Sequence, residues 1–380
     1  MIDERALREL VAEDEVAVTI YLPIDTDQRD ARAPAARLRN LIGQAEERLR
    51  RRGVDAARSD ALLRAIHDFA DGTDFKRHRD RGYVLFAAAS GLRSYALPDQ
   101  FPELVIVGRF FHIKPLLHLI ARNRRFHILA LATGRVRLLE ATPFAWTELP
   151  LDDLLPLDAA AEADSRPAAD AAPGGHSPEE LRTALLAEDL RRVAVAVRTR
   201  LGSDQAPLVL AAEPRVAGHF SKLAHLPQML ANTLETNPFA FSTEELHRRA
   251  AQLILPLIDA ERDAVLESVS ARLGTAEPTV AIRLEEILAA ARDGRVDSVL
   301  IADDQILWGT FNMESGTATG RGTPGIADED LLNEAAVLTL RDGGRALAVP
   351  AAMLPRGAPA AALLRFSAEG YSQRADLTNQ

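Results

Sequence analysis

The sequence predicts a multidomain protein of α+β and α/β class, with three domains at residues 1–125, 126–259 and 260–380. Three observations favour this division. The chain has 380 residues, 47% of them hydrophobic, which is enough for two or three packed cores. Stretches with helical spacing of apolar residues alternate with short apolar runs, a pattern typical of helices layered on sheets. An acidic segment rich in alanine and proline interrupts the middle of the chain.

The first domain is predicted to be an α+β domain. The apolar run from Val16 to Leu22 predicts a strand, and the apolar residues at positions 38, 41, 42, 45 and 49 lie on one stripe of a helix. Two later apolar runs meet at Ser90-Gly91, as in a β-hairpin. The predicted elements are a strand at 16–22, helices at about 34–52 and 56–70, a hairpin of 83–89 and 92–97, and a short helix at 115–121.

The central domain is predicted to be an α/β unit with a hairpin, a long loop, a helix and a returning strand. Segment 151–173 is acidic and poor in core-forming residues, which indicates a mobile loop. A helical stretch from Ser242 to Leu273 follows, with a break expected near Pro256. The other predicted elements are a hairpin of 126–132 and 135–141, a helix at 177–201 and a strand at 207–212.

The last domain alternates helices and strands, which predicts a layered α/β sheet with helices on its faces. A Gly/Thr-rich stretch that ends at Gly325 is predicted to be a loop. The predicted elements are helices at 282–292 and 328–340 and strands at 296–302, 306–311, 346–349 and 361–366.

The segment Gly174-Gly175-His176 leads directly into a helix and is the most informative motif of the chain. Glycine has no Cβ, so backbone N–H groups here can approach a partner closely. Ser177 is the predicted N-cap and Glu180 the predicted partner in a capping box, which places the glycines near free N–H groups that favour anionic oxygens. The alternative is a loop in which the glycines only let the chain turn.

The charge of the chain is distributed unevenly along its length. The net charge is −10, yet residues 1–125 carry 22 Lys and Arg against 19 Asp and Glu. Three basic clusters near this third of the sequence could neutralise RNA phosphates. Their alternative use is that of solvated helix ends and loops. The candidate RNA-binding residues in these clusters are Arg50, Arg51, Arg52, Lys76, Arg77, Arg79, Arg124 and Arg125.

Two arginines extend the candidate site along the helix that follows the glycines. Arg191 and Arg198 are seven residues apart and therefore share one helical face, from which they could contact RNA phosphates. The alternative is that these arginines pair with nearby acids such as Glu188 and Asp189.

Several classes of site are not expected from the sequence. The chain has no cysteine, which excludes thiolate metal sites and cysteine nucleophiles. His112 and His118 are six residues apart, which does not place them on one helical face, so they are interpreted as structural or RNA-facing. No metal or cofactor site is predicted. The start of the chain has no basic, apolar leader and no later run is long enough to cross a membrane, which predicts a cytoplasmic protein.

These motifs, in this order, resemble the archaeal and eukaryotic class I peptide-chain release factors and Pelota, and more closely their bacterial relatives, some of which act as ribosome hibernation factors. In the central domain, hairpin 126–141, the Gly-Gly-His loop, the helix and strand 207–211 follow the family order of hairpin, Gly-Gly-Gln loop, long helix and strand. In the last domain, segment 287–301, Gly343-Gly344 and segment 362–366 are similar to the family's terminal αβα sandwich.

Two departures from the family pattern define what the resemblance implies. His176 stands where release factors have glutamine, and the first domain has no Asn-Ile-Lys-Ser sequence of the type that reads stop codons. The resemblance therefore implies a ribosome-associated protein that binds the vacant A site in hibernation or rescue without reading a codon. Its basic first domain would face the small subunit, and the Gly174-Gly175-His176 tip would point to the peptidyl-transferase centre. A translational GTPase such as elongation factor Tu is the implied partner.

Two alternatives remain open at this point. The first is a peptidyl-tRNA hydrolase that releases nascent chains on stalled ribosomes, with His176 as its catalytic residue, since histidine can donate or accept protons near neutral pH. The second is a protein-interaction scaffold that never enters the ribosome.

Overall fold

Helices and four β-sheets make up the described part of the computed structural model, which covers residues 4–12, 16–24, 33–75, 81–155, 178–275, 277–323 and 325–367. This arrangement confirms the predicted α+β multidomain class. By contacts, the chain divides into two compact units, one formed by Met1–Ala121 with Glu261–Gln380 and the other by Arg122–Ala260. The first and last parts of the chain therefore pack together as one unit, and the division into three domains stays a prediction.

The N-terminal part of the first unit is an antiparallel sheet with the strand order β3-β2-β1-β4. The apolar faces of two helices pack on this sheet, as their sequence periodicity predicts. Two elements of this region, α1 and the edge strand β4, are not predicted from the sequence. The elements are α1 (Glu4–Ala12), β1 (Ala17–Pro23), α2 (Ala33–Arg51), α3 (Ala56–Gly72), β2 (Gly82–Ala88), β3 (Gly91–Leu97), β4 (Leu104–Gly108) and α4 (Leu117–Arg122).

The central unit is a five-stranded sheet with helices on both faces and the strand order β7-β6-β5-β8-β9. The predicted hairpin, helix and strand are confirmed, with β5 and β8 parallel to each other. Alternate residues of these strands enter two separate cores, one under α5 and α6 and the other under the first half of α7. The elements are β5 (Phe126–Ala132), β6 (Arg135–Thr142), β7 (Ala145–Leu149), α5 (Pro178–Leu201), β8 (Leu208–Ala212), α6 (Pro214–Ala224), β9 (Leu234–Glu235) and α7 (Thr243–Gly274).

The break predicted near Pro256 is wrong, because α7 runs without interruption from Thr243 to Gly274. Proline at this position removes one hydrogen bond, that to the Gln252 carbonyl. The turns on either side are held by a buried row on one face of the helix, which includes Ala250, Ile254 and Ile258. Packing of this row outweighs the lost hydrogen bond, and tertiary contacts thus override the local preference.

The C-terminal part of the first unit contains two sheets, with the strand orders β10-β16-β11-β15 and β13-β12-β14. β11 is parallel to β15 and antiparallel to β16, and α9 contacts α8 and the larger sheet. The elements are β10 (Val280–Ala281), α8 (Leu284–Arg292), β11 (Val296–Ala302), β12 (Trp308–Phe311), β13 (Ala318–Arg321), β14 (Glu329–Asp330), α9 (Leu331–Arg341), β15 (Arg345–Val349) and β16 (Ala360–Leu364).

The stretch predicted as a Gly/Thr-rich loop contains strand β13, so this prediction is wrong in part. β13 pairs with β12, and Gly309 lies directly opposite Gly320. A Cβ on Gly309 would lie 2.3 Å from the Thr319 carbonyl oxygen. Glycine here permits a close approach between two strands, whereas the sequence alone suggests a flexible loop.

A buried polar cluster joins the N-terminal and C-terminal parts of the first unit. The Lys114 ammonium lies 2.6 Å from Asp330 Oδ2, and both side chains are fully or almost fully buried. Lys114 also donates a hydrogen bond to the Gln305 carbonyl. Asn333 accepts hydrogen bonds from the Ile113 and Lys114 N–H groups at 2.8 and 3.0 Å. These bonds connect residues more than 190 positions apart in the sequence.

His112 lies in the same cluster and is expected to make the stability of the protein depend on pH. Burial, with a smaller contribution from Lys114, lowers the pKa of His112 to about 4, whereas an unfolded histidine titrates near 6.5. Because the unfolded chain takes up the proton first as pH falls, stability is highest above pH 6.5 and declines down to about pH 4. From this residue alone we expect a loss of about 2 kcal/mol between pH 7 and pH 5.

Urea denaturation at pH 7 and pH 5 measures this loss. In His112→Leu the difference between the two pH values should shrink by about that amount, since leucine does not titrate. A smaller difference should persist, because burial also lowers the pKa of His127. An equal pH dependence in the wild type and the variant would contradict the assignment to His112.

Candidate functional site

The Gly174-Gly175-His176 tip lies outside the described residues, as do Ser177, Lys76, Arg77 and Arg79. The structure does show the helix that follows the tip. α5 starts at Pro178, two residues after His176, and ends at Leu201, as the sequence predicts. The tip is therefore joined directly to the N-terminal end of a 24-residue helix, where unpaired N–H groups favour an anionic partner.

The two halves of α5 differ in how they pack. From Leu190 onward the helix contributes side chains to the core, including Val193, Val197 and Leu201. Between Thr183 and Asp189 no side chain is buried, and Leu185 is 55% exposed. The helix is thus fixed to the central unit by its C-terminal half, while the side chains from Thr183 to Asp189 are exposed or half-buried.

Arg191 is available to a partner on this helix. Its side chain is exposed and forms no ion pair or hydrogen bond with any residue in the described ranges. Its neighbour Arg192 lies 3.6 Å from Glu188 and 3.3 Å from Asp189, so those acids form ion pairs with Arg192 and not with Arg191. At 1.5 Å per residue, Arg191 lies about 20 Å along the helix from Pro178.

Arg198 and Arg200 have structural partners. Arg198 donates a hydrogen bond of 2.6 Å to the Ala224 carbonyl at the end of α6, which satisfies a helix terminus. Arg200 forms an ion pair with Asp153, on the segment that leads into the acidic loop. Of the two arginines predicted to share a face, Arg191 is thus available to a partner and Arg198 connects two helices.

Arg125 belongs to a charged cluster that sequence reasoning missed. Its guanidinium lies 3.3 Å from Glu140 and 3.0 Å from Asp204, and His127 Nε2 lies 3.8 Å from the same Asp204 carboxylate. Burial lowers the pKa of His127, while Asp204 opposes that shift. The strand pairing that brings β5, β6 and β8 together creates this cluster from residues up to 79 positions apart.

Donor atoms of His127, Glu140 and Asp204 lie within 4.8 Å of one another, as in some metal sites. Arg125 already contacts both carboxylates and offsets part of their charge. A bound cation would have to displace this guanidinium. We therefore interpret the cluster as an ion-pair network that fixes the start of β5. Arg124, next to it, is exposed.

The basic cluster at the end of α2 is only partly available to a partner. Arg50 and Arg51 are exposed and both pair with Glu47 on the preceding turn. Arg52 is different, because it lies 2.8 Å from Glu329 Oε1 and also donates to the Asp328 carbonyl. Its side chain is 19% exposed, and it serves to join the N-terminal and C-terminal parts of the first unit.

The two histidines that were interpreted as structural or RNA-facing take different positions. His112 is buried and therefore structural, with its carbonyl accepting a hydrogen bond from the Tyr21 hydroxyl at 2.7 Å. His118 is half-buried, and its ring lies against Phe101 with centroids 5.7 Å apart. In the part of the chain that the structure describes, no helix is both long and apolar enough to span a bilayer.

Comparison with known protein families gives a match to the region that contains the Gly174-Gly175-His176 tip. Residues 125–295 match the family model of bacterial archaeo-eukaryotic release factor family 3. No curated protein matches the chain. The match confirms the resemblance drawn from the order of hairpin, loop, helix and strand.

Solved structures of archaeal proteins are similar over most of the chain. The archaeal translation termination factor aRF1 is 14% identical, with 96% of this chain and 99% of that chain covered and a TM-score of 0.24. Archaeoglobus fulgidus Pelota is 15% identical, with 77% and 82% covered and a TM-score of 0.34. A ribosome-bound archaeal Pelota is 14% identical, with 75% and 78% covered and a TM-score of 0.37. Over residues 125–295 the chain is therefore similar to bacterial archaeo-eukaryotic release factor family 3.

Proposed function

We propose that this protein binds the vacant A site of the ribosome in hibernation or rescue, without reading a codon. The observation that carries the proposal is the release-factor family match over 125–295, which includes the Gly174-Gly175-His176 tip and the whole of α5. Association with ribosomes would place the protein in the cytoplasm. The first domain has no stop-codon-reading sequence, which supports the absence of codon reading.

The packing of α5 supports a role for the tip in contact with RNA. The C-terminal half of the helix is fixed in the core, and no side chain between Thr183 and Asp189 is buried. Glycines at a helix N-terminus present backbone donors to phosphate or ribose oxygens without side-chain obstruction. Arg191, exposed and without a counter-charge in the described chain, adds a phosphate contact behind the tip.

Substitution of Arg191 tests whether this face of α5 contacts RNA. In Arg191→Gln, we expect weaker binding to vacant ribosomes and a slope of log K against log salt that is smaller by about 1, since one phosphate contact is lost. Arg192→Gln is the matched control, because Arg192 is one residue away on the same helix and paired with Glu188 and Asp189. Equal effects in both variants would contradict a specific contact at Arg191.

Peptidyl-tRNA hydrolysis is the second candidate function, and the presence of His176 in the third position of the tip favours it. A neutral imidazole at this position can accept a proton from an attacking water. Peptide release from ribosomes loaded with peptidyl-tRNA distinguishes the two functions. Release that is lost in His176→Ala would establish the hydrolase, and no release at saturating protein would leave hibernation or rescue as the role.

A translational GTPase such as elongation factor Tu is the proposed delivery partner, by the same family resemblance. The acidic last domain, with 11 Lys and Arg against 18 Asp and Glu in residues 260–380, offers a surface to a protein rather than to RNA. Ribosome binding that becomes faster when the GTPase is added with GTP would support this partner.

A further inference from the structure

A cavity of about 330 Å³ lies in the first unit, where the end of α2 meets strand β4 and the segments around Trp308 and Ile326. This volume falls within the range of pockets that hold small molecules. One end of the cavity is lined by arginines, and its walls are largely apolar. The function proposed above does not use it.

The arginine end contains one cation without a counter-charge. No residue in the described ranges forms an ion pair or a hydrogen bond with the Arg48 guanidinium. Burial and the neighbouring Arg51 both lower the pKa of Arg48, although a guanidinium remains protonated at neutral pH. Because the exposed Arg48 guanidinium lies near Arg51 and has no carboxylate of its own, an anion would be stabilised at this end of the cavity.

The other charges around the cavity already have partners. Arg51 shares the Glu47 carboxylate with Arg50, so its charge is only partly offset, and Arg52 pairs with Glu329. The Asp328 carboxylate is buried and accepts a hydrogen bond of 2.7 Å from the Gly325 N–H group. The carboxylates nearby therefore do not neutralise Arg48.

The wall formed by β4 offers backbone donors and acceptors as well as apolar surface. β4 is the last strand of its sheet, so one row of its N–H and C=O groups faces away from β1. The Arg109 N–H group points to this outer side, where it donates to Glu329 at 2.9 Å. The strand from Leu104 to Val107 lines the cavity, so its free row of backbone groups lies next to it.

We propose that this cavity binds a nucleoside phosphate, with the phosphate against Arg48 and Arg51 and the base between Trp308 and the outer edge of β4. A base requires a flat apolar contact together with in-plane donors and acceptors, and the indole and the strand edge supply both. The nucleotide can be free in solution or part of an RNA strand. The residues that line the cavity lie outside 125–295, so the proposal does not rest on the family match.

Tryptophan fluorescence tests the proposal on the full chain without ribosomes. The protein has two tryptophans, Trp146 in the central unit and Trp308 at the cavity, so Trp146→Phe leaves Trp308 as the only indole. We expect adenosine monophosphate to quench Trp308 in a saturable manner and adenosine to bind more weakly. In Arg48→Gln we expect the affinity for adenosine monophosphate to fall about fivefold or more, since a charge-assisted contact is lost.

The matched control is Arg39→Gln, on the same helix but paired with Asp71 and away from the cavity, which should leave the affinity unchanged. No saturable change of Trp308 emission with adenosine monophosphate or with a pentamer of adenylate would overturn the proposal. An equal effect of Arg39→Gln and Arg48→Gln would also overturn it.

The comparison of the two probes assigns the source of the nucleotide. Tighter binding of the adenylate pentamer, with a steeper salt dependence than that of the monophosphate, indicates an RNA strand. Equal affinities indicate a free nucleotide. A positive result here together with no binding to ribosomes would separate this site from the proposed A-site function.

Discussion

Lys114→Met is expected to lower the free energy of unfolding by about 3 to 5 kcal/mol, the largest single effect that the structure predicts. The substitution leaves Asp330 with a buried carboxylate and no cation at 2.6 Å. It also leaves the Gln305 carbonyl without its buried donor. Burial of an unpaired charge costs more than the pair itself contributes, because the desolvation of Asp330 is no longer compensated. Urea denaturation of the full chain at pH 7 measures the change.

Two further variants separate the charge effect from the loss of packing. Lys114→Met combined with Asp330→Asn removes both charges and keeps the side-chain oxygen that accepts from the Leu332 N–H group at the start of α9. We expect this double variant to recover a large part of the lost stability. Lys222→Met, at an exposed position of α6, should change stability by less than about 0.5 kcal/mol. A double variant no more stable than Lys114→Met alone would contradict the charge argument.

Asn333→Ala is expected to destabilise the protein by about 3 kcal/mol or more, because it removes three buried hydrogen bonds at once. The Asn333 side chain accepts from two N–H groups and donates to the Phe111 carbonyl at 3.1 Å. Each of these backbone groups is left without a partner in the interior, and each such group costs about 1 to 3 kcal/mol. The same denaturation measurement applies.

Asn312→Ala is the matched control for this prediction. Asn312 Oδ1 also accepts from two backbone N–H groups, those of Glu314 and Ser315, but in an exposed turn. Water can replace the lost acceptor there, so we expect a change of about 1 kcal/mol or less. Similar losses of stability in Asn312→Ala and Asn333→Ala would show that burial of the N–H groups does not determine the effect.

Much of the fold could be predicted, because the spacing of apolar residues along the chain reflects which face of each helix or strand is buried. The hairpin of β5 and β6, the helix α5 and the strand β8 all lie within a few residues of the predicted bounds. Errors occurred where tertiary contacts decide the outcome. The glycine in β12 permits close strand pairing, and Pro256 is tolerated inside α7 because the flanking turns are packed. Neither fact is visible in local sequence.

The candidate site could be predicted less completely, because ion pairs join residues that are distant in sequence. The sequence predicts Arg52 as an RNA-binding residue, whereas in the structure it forms an ion pair with Glu329, 277 positions away. Arg125 likewise meets Asp204 through the pairing of β5 with β8. Only the folded structure shows which arginine side chains have no ion pair. Within the described chain, Arg48 and Arg191 are two such residues.

Co-sedimentation with vacant ribosomes, with and without competing tRNA in the A site, tests the central claim of the proposed function most directly. We expect the protein to pellet with vacant ribosomes at low salt and to be displaced as the A site fills with tRNA. Peptidyl-site tRNA is the control and should not displace it. No pelleting at low salt, even with a translational GTPase present, or pelleting that A-site tRNA leaves unchanged, would contradict A-site binding.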